Sequence, residues 1–500
     1  MNISVIKGDI LETPTELLVV GVYEGEPLEN PFTERLNMLL KGRLPKLAAI
    51  QQFSGASGQS MLFPAPDHLE AEYVLVVGLG TSAGNALQET REVTATALQT
   101  AKRLGLHHVA LEFFGEDEDG FRAKEAGAVM AEALLLADYT FSLYKKNEGA
   151  EIKEVVIVAE DGRDAQKARV GIERGMLLAD GVIVARDLVN TPAKDMTPTR
   201  LAEAAEEIAH AAGPNIRVKI LDQEACERKQ MFSFLGVAQG SDEAPKFIHL
   251  TYKPDGSAKK RIAVIGKGIT FDSGGLSIKP AGYMESMKCD MAGGAAVLGL
   301  FSILAELKPN IEVHGIIAAA ENMPSAKAIR PGDILRASNG KTIEVLNTDA
   351  EGRLTLADAL VYAEKLGPDV MIDLATLTGA CVVGLGEEIA GLMSNTPILA
   401  QALLTAGAET GEKLWELPLE PSYNALIKSH VADMTNVSKS HYGGAITAGI
   451  FLAEFVSRDQ PWAHIDIAGP AFIERSLNAS TQVGATGFGV RTLARYIDSL

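Results

Sequence analysis

The sequence has few of the features that mark secreted, membrane or nucleic-acid-binding proteins. Its only cysteines are Cys226, Cys289 and Cys381, none in a Cys-x-x-Cys pair, which excludes a disulfide framework and favours a reducing cytoplasm. No uninterrupted apolar run approaches the roughly 20 residues of a membrane span, and charges interrupt the N-terminal stretch where a secretory signal would be apolar. The net charge of −19 opposes a general role on nucleic acid, because phosphate contacts need clustered Lys and Arg. We therefore expect a cytoplasmic protein with no membrane or nucleic-acid partner.

Several catalytic motifs are also missing. The sequence contains no Gly-x-Ser-x-Gly elbow and no His-Glu-x-x-His pair. Its nine histidines are scattered, so oxygen atoms must dominate any metal site. Gly78, Gly80 and Ala83 fit a dinucleotide-binding pattern, but the acidic residue expected about 20 positions later is missing. We therefore expect no nucleotide cofactor.

Length and patterning indicate two α/β domains. Five hundred residues exceed what one hydrophobic core usually supports. Strand-like and helix-like segments alternate over the first 160 or so residues, which predicts a small domain with a largely parallel sheet. We place the boundary so that the first domain is 1–165 and the second is 166–500, with a connecting helix at about 164–190.

The predicted elements follow from the spacing of apolar residues. Strands are predicted at 16–23, 73–80, 108–114 and 154–160, and in the second domain at 216–221, 246–252, 261–266, 311–320, 370–375 and 464–469. Helices are predicted at 87–104, 121–139, 288–307, 353–366, 397–408 and 487–499, and Thr197 before Pro198 is expected to cap another.

Charged residues concentrate on glycine-rich loops of the second domain, in the segments 265–280, 287–294 and 347–354. They are Lys267, Asp272 and Lys279, then Asp290, then Asp349, Glu351 and Arg353. Loops that follow strands are where ligands bind in open α/β sheets. Four neighbouring carboxylates would repel one another, and two divalent cations bridged by carboxylates would compensate for that charge.

Each of these residues alone has a simpler interpretation. Asp290 before Met-Ala-Gly-Gly could cap a helix. Asp349 and Glu351 beside Arg353 could form a surface ion-pair cluster, and the two lysines could be ordinary exposed residues. Their combination on loops that follow strands favours a metal site.

These segments resemble the signature of the leucyl aminopeptidase family, also called cytosol aminopeptidases. The octapeptide NTDAEGRL (347–354) matches the family's most specific motif without a break, and the segments 266–280, 373–380, 464–472 and 484–493 are similar to other family blocks. The first domain carries no diagnostic motif. The resemblance implies a small N-terminal α/β domain similar to macro domains, followed by a larger C-terminal α/β catalytic domain with a central mixed sheet flanked by helices.

The resemblance also implies an activity. Members of this family are two-metal exopeptidases that release N-terminal residues, preferentially Leu and other apolar ones, from peptides with a free N-terminus. A hydroxide that bridges the two ions would attack the scissile bond. Mn or Zn as the metal and a cytoplasmic homohexamer are further expectations from the resemblance.

Roles for individual residues are carried over from the matching family positions. One metal site would comprise Lys267, Asp272, Asp290 and Glu351, and the other Asp272, Asp349 and Glu351. Lys279 would stabilise the oxyanion, and Arg353 would hold a bicarbonate ion that shuttles protons. The pocket for the first side chain of the substrate would be lined by Met287, Asn347, Ala350, Thr376, Leu377 and Gly379.

Two other functions stay open at this point. Oxygen-rich two-metal sites also hydrolyse phosphoesters, although only Lys279 and Arg353 are available here to hold a phosphate dianion. A non-catalytic binding protein could keep the same fold, and it would be marked by lost ligands. None of the seven key positions is lost.

Overall fold

The computed structural model describes residues 1–25, 31–81, 86–114, 123–146 and 149–500. Contacts within the chain divide it into unit 1, which comprises 1–179 and 476–482, and unit 2, which comprises 180–475 and 483–500. Ala83 of the dinucleotide-like pattern and the first two residues of the predicted helix 121–139 lie outside the described residues.

Unit 1 contains a six-stranded sheet of order β1-β6-β5-β2-β4-β3, in which every pairing except β3 with β4 is parallel. Its strands are β1 (Asn2–Lys7), β2 (Leu17–Val22), β3 (Ser60–Pro64), β4 (Tyr73–Gly78), β5 (His108–Glu112) and β6 (Glu154–Ala159). Its helices are α1 (Pro31–Leu39), α2 (Leu44–Ile50), α3 (Ala86–Leu104) and α4 (Ala123–Asp138). The four predicted strands are present. The edge strands β1 and β3 were not predicted, because each has only one or two buried residues and hence a weak apolar pattern.

Helix α5 (Gly162–Asn190) contains the division between the units, at 179/180. Unit 2 has further helices, which are α6 (Pro198–Ala211), α7 (Gln223–Arg228), α8 (Phe232–Ala238), α9 (Ala281–Met284), α10 (Ala292–Leu307), α11 (Gly352–Glu364), α12 (Gly379–Leu385), α13 (Pro397–Thr410), α14 (Gly444–Ala453) and α15 (Val490–Asp498). Helix α6 begins as predicted, since the Thr197 hydroxyl accepts a 3.3 Å hydrogen bond from Arg200 N and Pro198 is the first helical residue.

Unit 2 is built on a mixed eight-stranded sheet of order β15-β14-β17-β13-β9-β10-β8-β7. The strands of unit 2 are β7 (Ile216–Leu221), β8 (Lys246–Tyr252), β9 (Arg261–Asp272), β10 (Glu312–Asn322), β11 (Ile334–Arg336), β12 (Thr342–Glu344), β13 (Val370–Ala375), β14 (Ala390–Ser394), β15 (Leu414–Glu416), β16 (Met434–Thr435), β17 (Trp462–Asp466), β18 (Phe472–Ile473) and β19 (Gly484–Ala485). The predicted strands are present, but β9 runs six residues beyond its predicted end at 266. Asp272 is therefore the last residue of β9, at the carboxyl end of this central strand.

The central strand β9 pairs in parallel with both β10 and β13, and helices α10 and α11 pack against it. Its residues 262–265 are buried, as expected of a parallel strand covered on both faces. Gly293 allows α10 to begin close to β13, because a Cβ atom there would lie 2.0 Å from the Leu374 carbonyl oxygen. These packings fix the carboxyl end of β9 firmly.

One helical stretch among the described residues, Ala281–Leu307, is long and apolar enough to cross a membrane by length and composition. The stretch is interrupted by Glu285, Lys288 and Asp290, so it is not an uninterrupted apolar run. Moreover, 78% of its most apolar window is buried inside the molecule, which is typical of a core helix.

Candidate active site

Three carboxylates meet at the carboxyl end of β9. Asp272 is the last residue of β9, Asp290 lies in the 3-10 turn Met287–Met291, and Glu351 immediately precedes α11. All three are buried, and one oxygen atom from each lies within 4.8 Å of those of the other two. The structure therefore brings together three of the predicted metal ligands.

Two lysines approach these carboxylates through different partners. Lys267 Nζ lies 2.7 Å from Asp290 Oδ1 and 2.9 Å from Glu351 Oε1. Lys279 Nζ lies 2.8 Å from Asp272 Oδ2 and 2.5 Å from an oxygen of the fourth predicted ligand, Asp349. Asp349 does not belong to the group of three, but Lys279 links it to Asp272.

The electrostatics of the cluster follow from its burial and crowding. Burial raises the pKa of Asp290 and of Asp272, and the charge of Glu351 raises both further. Burial opposes the charge on Lys267 and on Lys279, but the neighbouring carboxylates outweigh it and raise the pKa of each lysine. Lys267 is thus an ammonium here, and it could serve as a metal ligand only if cations displaced its proton.

Several carboxylate oxygens in this cluster have no hydrogen-bond partner. Asp290 Oδ2 and Glu351 Oε2 are buried and accept no hydrogen bond from any described residue. Glu351 Oε1 and Asp349 Oδ1 lie near lysines, but their contacts lack hydrogen-bond geometry. Buried polar atoms without partners are rare in folded proteins. Carboxylate oxygens are ligands for divalent cations, so the residues present fit a metal site.

Gly352 makes room for Lys267. A Cβ atom at position 352 would lie 2.3 Å from Lys267 Cε, a distance that no packed side chain tolerates. The Lys267 ammonium also donates a 2.9 Å hydrogen bond to the Thr376 carbonyl oxygen. A larger residue at position 352 would therefore displace the end of the Lys267 side chain from Asp290 and Glu351.

Arg353, the predicted bicarbonate-binding residue, is the second residue of α11 and is buried. Its Nη1 donates a 2.8 Å hydrogen bond to the Asn436 carbonyl oxygen, while Nε has no acceptor among the described residues. Burial lowers the pKa of Arg353 to about 10, so the guanidinium stays charged at neutral pH. One buried N–H donor is thus available for an anion.

The predicted pocket residues lie on the loops around the cluster. Thr376 donates a 2.7 Å hydrogen bond from its hydroxyl to Asp290 Oδ1, and Leu377 N donates to Asp466 at 3.1 Å. The remaining four lie on the turn before α11 or begin neighbouring elements: Asn347 and Ala350 on the turn, Met287 at the start of the 3-10 turn, and Gly379 at the start of α12.

Three buried residues that support the site were not predicted: Asn322, Asn436 and Asp466. Asn322 Nδ2 donates to Asp272 Oδ1 at 2.8 Å and to the Thr348 carbonyl oxygen at 3.0 Å. Its position just after the predicted strand 311–320 could have revealed it. Asp466 lies in the family-like segment 464–472, to which no role had been given. Asn436 lies in an unpatterned polar segment, which gave no signal.

Comparison with known proteins decides the family. The model of the cytosol aminopeptidase family's catalytic domain matches residues 183–494, and that of its N-terminal domain matches 19–148. The chain belongs to the cytosol aminopeptidase family. Metal-dependent removal of N-terminal residues is the general function of this family, so the chain is an aminopeptidase of the hydrolase class. The predicted family, two-domain α/β fold and enzyme class are confirmed.

Individual relatives match the chain over nearly its whole length. It is 46% identical to a probable cytosol aminopeptidase of Thermosynechococcus vestitus, with 100% of both chains covered, and 45% identical to one of Rippkaea orientalis, with 99% of both covered. A mutant of tomato leucine aminopeptidase has a TM-score of 0.90 at 37% identity, covering 100% of this chain and 97% of that one. The bottromycin maturation enzyme BotP in complex with Mn has a TM-score of 0.84 at 33% identity, covering 97% of this chain and 99% of that one.

Proposed function

We propose that this aminopeptidase releases single residues, preferentially Leu and other apolar ones, from the free N-terminus of peptides. The observation that carries the proposal is the buried group of Asp272, Asp290 and Glu351, whose oxygens lie within 4.8 Å of one another and are partly without hydrogen-bond partners. The relative BotP has been solved in complex with Mn, which supports a divalent metal in this chain.

We assign two divalent ions, Mn²⁺ or Zn²⁺, to this cluster. The proposed ligands of one are Lys267, Asp272, Asp290 and Glu351, and those of the other are Asp272, Asp349 and Glu351. When bound, the ions would polarise the scissile carbonyl and acidify a water molecule. The chain holds the ligands in place through Asn322, which fixes Asp272, and Thr376, which fixes Asp290.

The two lysines receive different roles because they differ in exposure. The side chain of Lys279 is 14% exposed and that of Lys267 is 4% exposed. The family position assigns Lys279 to the substrate, where its ammonium would stabilise the developing oxyanion, and its greater exposure supports that role. Arg353 is assigned to a bicarbonate ion, and its buried Nε–H donor supports that assignment.

The pocket assignment rests on family positions and on the loops that carry them. We propose that it is lined by Met287, Asn347, Ala350, Thr376, Leu377 and Gly379. An apolar floor suits Leu-like side chains, although one methylene group discriminates by only about 1–3 kcal/mol. Preference among apolar residues should therefore be broad.

Three wider assignments belong to the same proposal. We retain 1–165 and 166–500 as the domains, since the two family models leave 149–182 between them. A homohexamer is proposed from the resemblance to the family alone. A cytoplasmic location is supported by the three cysteines, all buried and unpaired in the described chain, and by the relatives' names.

The direct test is hydrolysis of Leu-amide by enzyme stripped of metal and refilled with single metals. Chelation should abolish activity, and Mn²⁺ or Zn²⁺ should restore it. N-acetyl-Leu-amide should be inert, because its blocked amine cannot bind as a free N-terminus. Full turnover by metal-free protein, equal rates on the blocked substrate, or hydrolysis of a phosphoester in place of Leu-amide would each reject the proposal.

A further inference from the structure

Asn436 lies in the loop after β16, is fully buried, and is given no part in the reaction by the assignments above. We propose that Asn436 is a positioning residue that fixes the backbone of the turn 346–350 and the guanidinium of Arg353 for peptide hydrolysis. The inference rests on the proposed function, because it concerns residues assigned to substrate and anion binding.

The Asn436 side chain binds the backbone of the turn at both of its polar ends. Its Oδ1 accepts hydrogen bonds from Leu346 N at 2.8 Å and Asn347 N at 3.4 Å. Its Nδ2 donates to the carbonyl oxygens of Asn347 at 2.6 Å and Ala350 at 3.2 Å. A carboxamide has two donors and two acceptor lone pairs, so the turn uses all of them. Asn436 therefore determines the path of the turn that carries Asp349.

The Asn436 main chain connects the same turn to Arg353 and to a sheet. Its carbonyl oxygen accepts the 2.8 Å hydrogen bond from Arg353 Nη1. Its N–H donates to the Glu344 carbonyl oxygen at 3.0 Å, and Glu344 of β12 pairs with Thr435 of β16. Asn436 thus fixes the turn 346–350 and Arg353 relative to the sheet β11-β12-β16.

Other side chains cannot reproduce this set of contacts. Aspartate has the same shape but lacks the two donors, and its carboxylate would face the carbonyl oxygens of Asn347 and Ala350. Alanine would remove the hydrogen bonds to Leu346 N, Asn347 N and the Ala350 carbonyl oxygen, while the Asn347 carbonyl oxygen would keep only its 3.3 Å bond from Ala350 N. A misplacement of about 1 Å near reacting groups can lower a rate about 10²-fold. Both substitutions should therefore lower activity even in folded protein.

The experiment compares Asn436→Asp and Asn436→Ala with the control Asn395→Asp. Asn395 also bridges backbone groups, from Nδ2 to the Gln460 carbonyl oxygen at 2.8 Å and from Trp462 N to Oδ1 at 2.9 Å, but it makes no contact with the cluster. Below the Tm of every variant, kcat/KM for Leu-amide should fall about 10–100-fold in the Asn436 variants. The ratio of kcat/KM for Leu-amide to that for Ala-amide should also change, whereas the control should keep the wild-type value and ratio.

The outcomes separate this inference from the proposed function. Wild-type protein without aminopeptidase activity would reject the function. Active wild type with Asn436 variants that keep its kcat/KM and its Leu-to-Ala ratio would reject only the inference. If both variants fail to fold, amide hydrogen exchange of the wild type decides. Protection of the Leu346 amide would support the inference that Asn436 fixes the turn 346–350. Exchange at the rate of an open loop would overturn that inference.

Discussion

Two glutamates of unit 2 are equally buried but differ completely in their surroundings. Glu351 and Glu412 are each 1% exposed. Glu412 accepts four hydrogen bonds at the start of α15, from Gly489 N at 3.0 Å, Arg491 Nε at 3.3 Å, Thr492 N at 2.9 Å and the Thr492 hydroxyl at 2.6 Å. Neither oxygen of Glu351 accepts a hydrogen bond from any described residue.

The difference distinguishes a carboxylate that stabilises the fold from one that is available to a ligand. Glu412 caps a helix, where negative charge is favourable and backbone N–H groups need acceptors. Among the described residues, only the ammonium of Lys267 forms an ion pair with Glu351, at 2.9 Å. A buried charge with so little compensation is costly, which a bound cation would relieve. The buried charge of Glu351 therefore lowers local stability but favours the binding of a cation.

Glu351→Gln should lower activity without lowering the stability of metal-free protein, whereas Glu412→Gln should lower stability without lowering activity. The loss of activity in Glu351→Gln should be the largest of these effects. Glu351→Gln removes a charge that both ions would share. Loss of a residue that hydrogen-bonds a metal ligand lowers activity roughly 10–100-fold, so loss of a ligand itself should lower kcat by more. When both proteins are free of metal, the Tm of Glu351→Gln should stay near or above that of the wild type, because a buried charge is removed. Steady-state kinetics with Leu-amide and calorimetry measure the two quantities.

Glu412→Gln is the matched control. It should keep kcat for Leu-amide but lose about 1–3 kcal/mol of stability, since it disturbs hydrogen bonds to a charged acceptor. That loss corresponds to a Tm decrease of about 2–4 °C per kcal/mol. Equal loss of activity in both variants at matched folded fraction would remove the distinction between the two glutamates.

Lys267 and Lys279 should differ in their effects on metal content and on kcat. Lys279→Ala should keep its metal and lower kcat about 10²–10³-fold, the usual effect of a lost oxyanion donor. Lys267→Ala should lower the affinity for one ion, so that excess metal partly restores activity. Metal content is measured for both variants beside kcat at saturating metal. Loss of metal in Lys279→Ala but not in Lys267→Ala would show that the roles are reversed.

A buried histidine pair away from the cluster should affect stability at low pH and leave activity unchanged. Burial, with the charges of His314 and Lys219, lowers the pKa of His249 from 6.5 to about 4. Between these values the unfolded chain binds a proton that the folded chain does not, so stability falls as pH falls from 6.5 to 4, by up to about 3 kcal/mol. His249 lies 3.0 Å from both His314 and Tyr362.

His249→Gln removes this titration. Between pH 7.5 and pH 4.5, the variant should lose less unfolding free energy than the wild type in chemical denaturation, while its activity at neutral pH stays unchanged. An equal acid dependence in both proteins would mean that His249 is not the group responsible.

The fold was predictable where burial imposes a strong apolar pattern. Strands such as β7, β8 and β13 were predicted at their observed limits or within one residue of them. Beyond residue 266 the polar residues Lys267, Thr270 and Asp272 interrupt the apolar run of β9, which hid the rest of that strand. The edge strands β1 and β3 and the two-residue strands were not predicted, because their apolar patterns are weak or too short.

Within the site, charged ligand types and their spacing could be predicted, but the hydrogen bonds that hold them could not. Asp349 and Glu351 lie in a recognisable octapeptide, whereas the hydrogen bonds of Asn436 join residues about 90 positions apart in sequence. A single polar residue in an irregular loop has no periodicity, so only the tertiary structure reveals its contacts.

Metal content shows directly whether the partnerless oxygens of Glu351 and its neighbours form a metal site. After dialysis against Mn²⁺ and removal of free metal, elemental analysis should find two ions per chain in the wild type and in Glu412→Gln, and one or none in Glu351→Gln. Two ions per chain in Glu351→Gln, or none in the active wild type, would contradict the account.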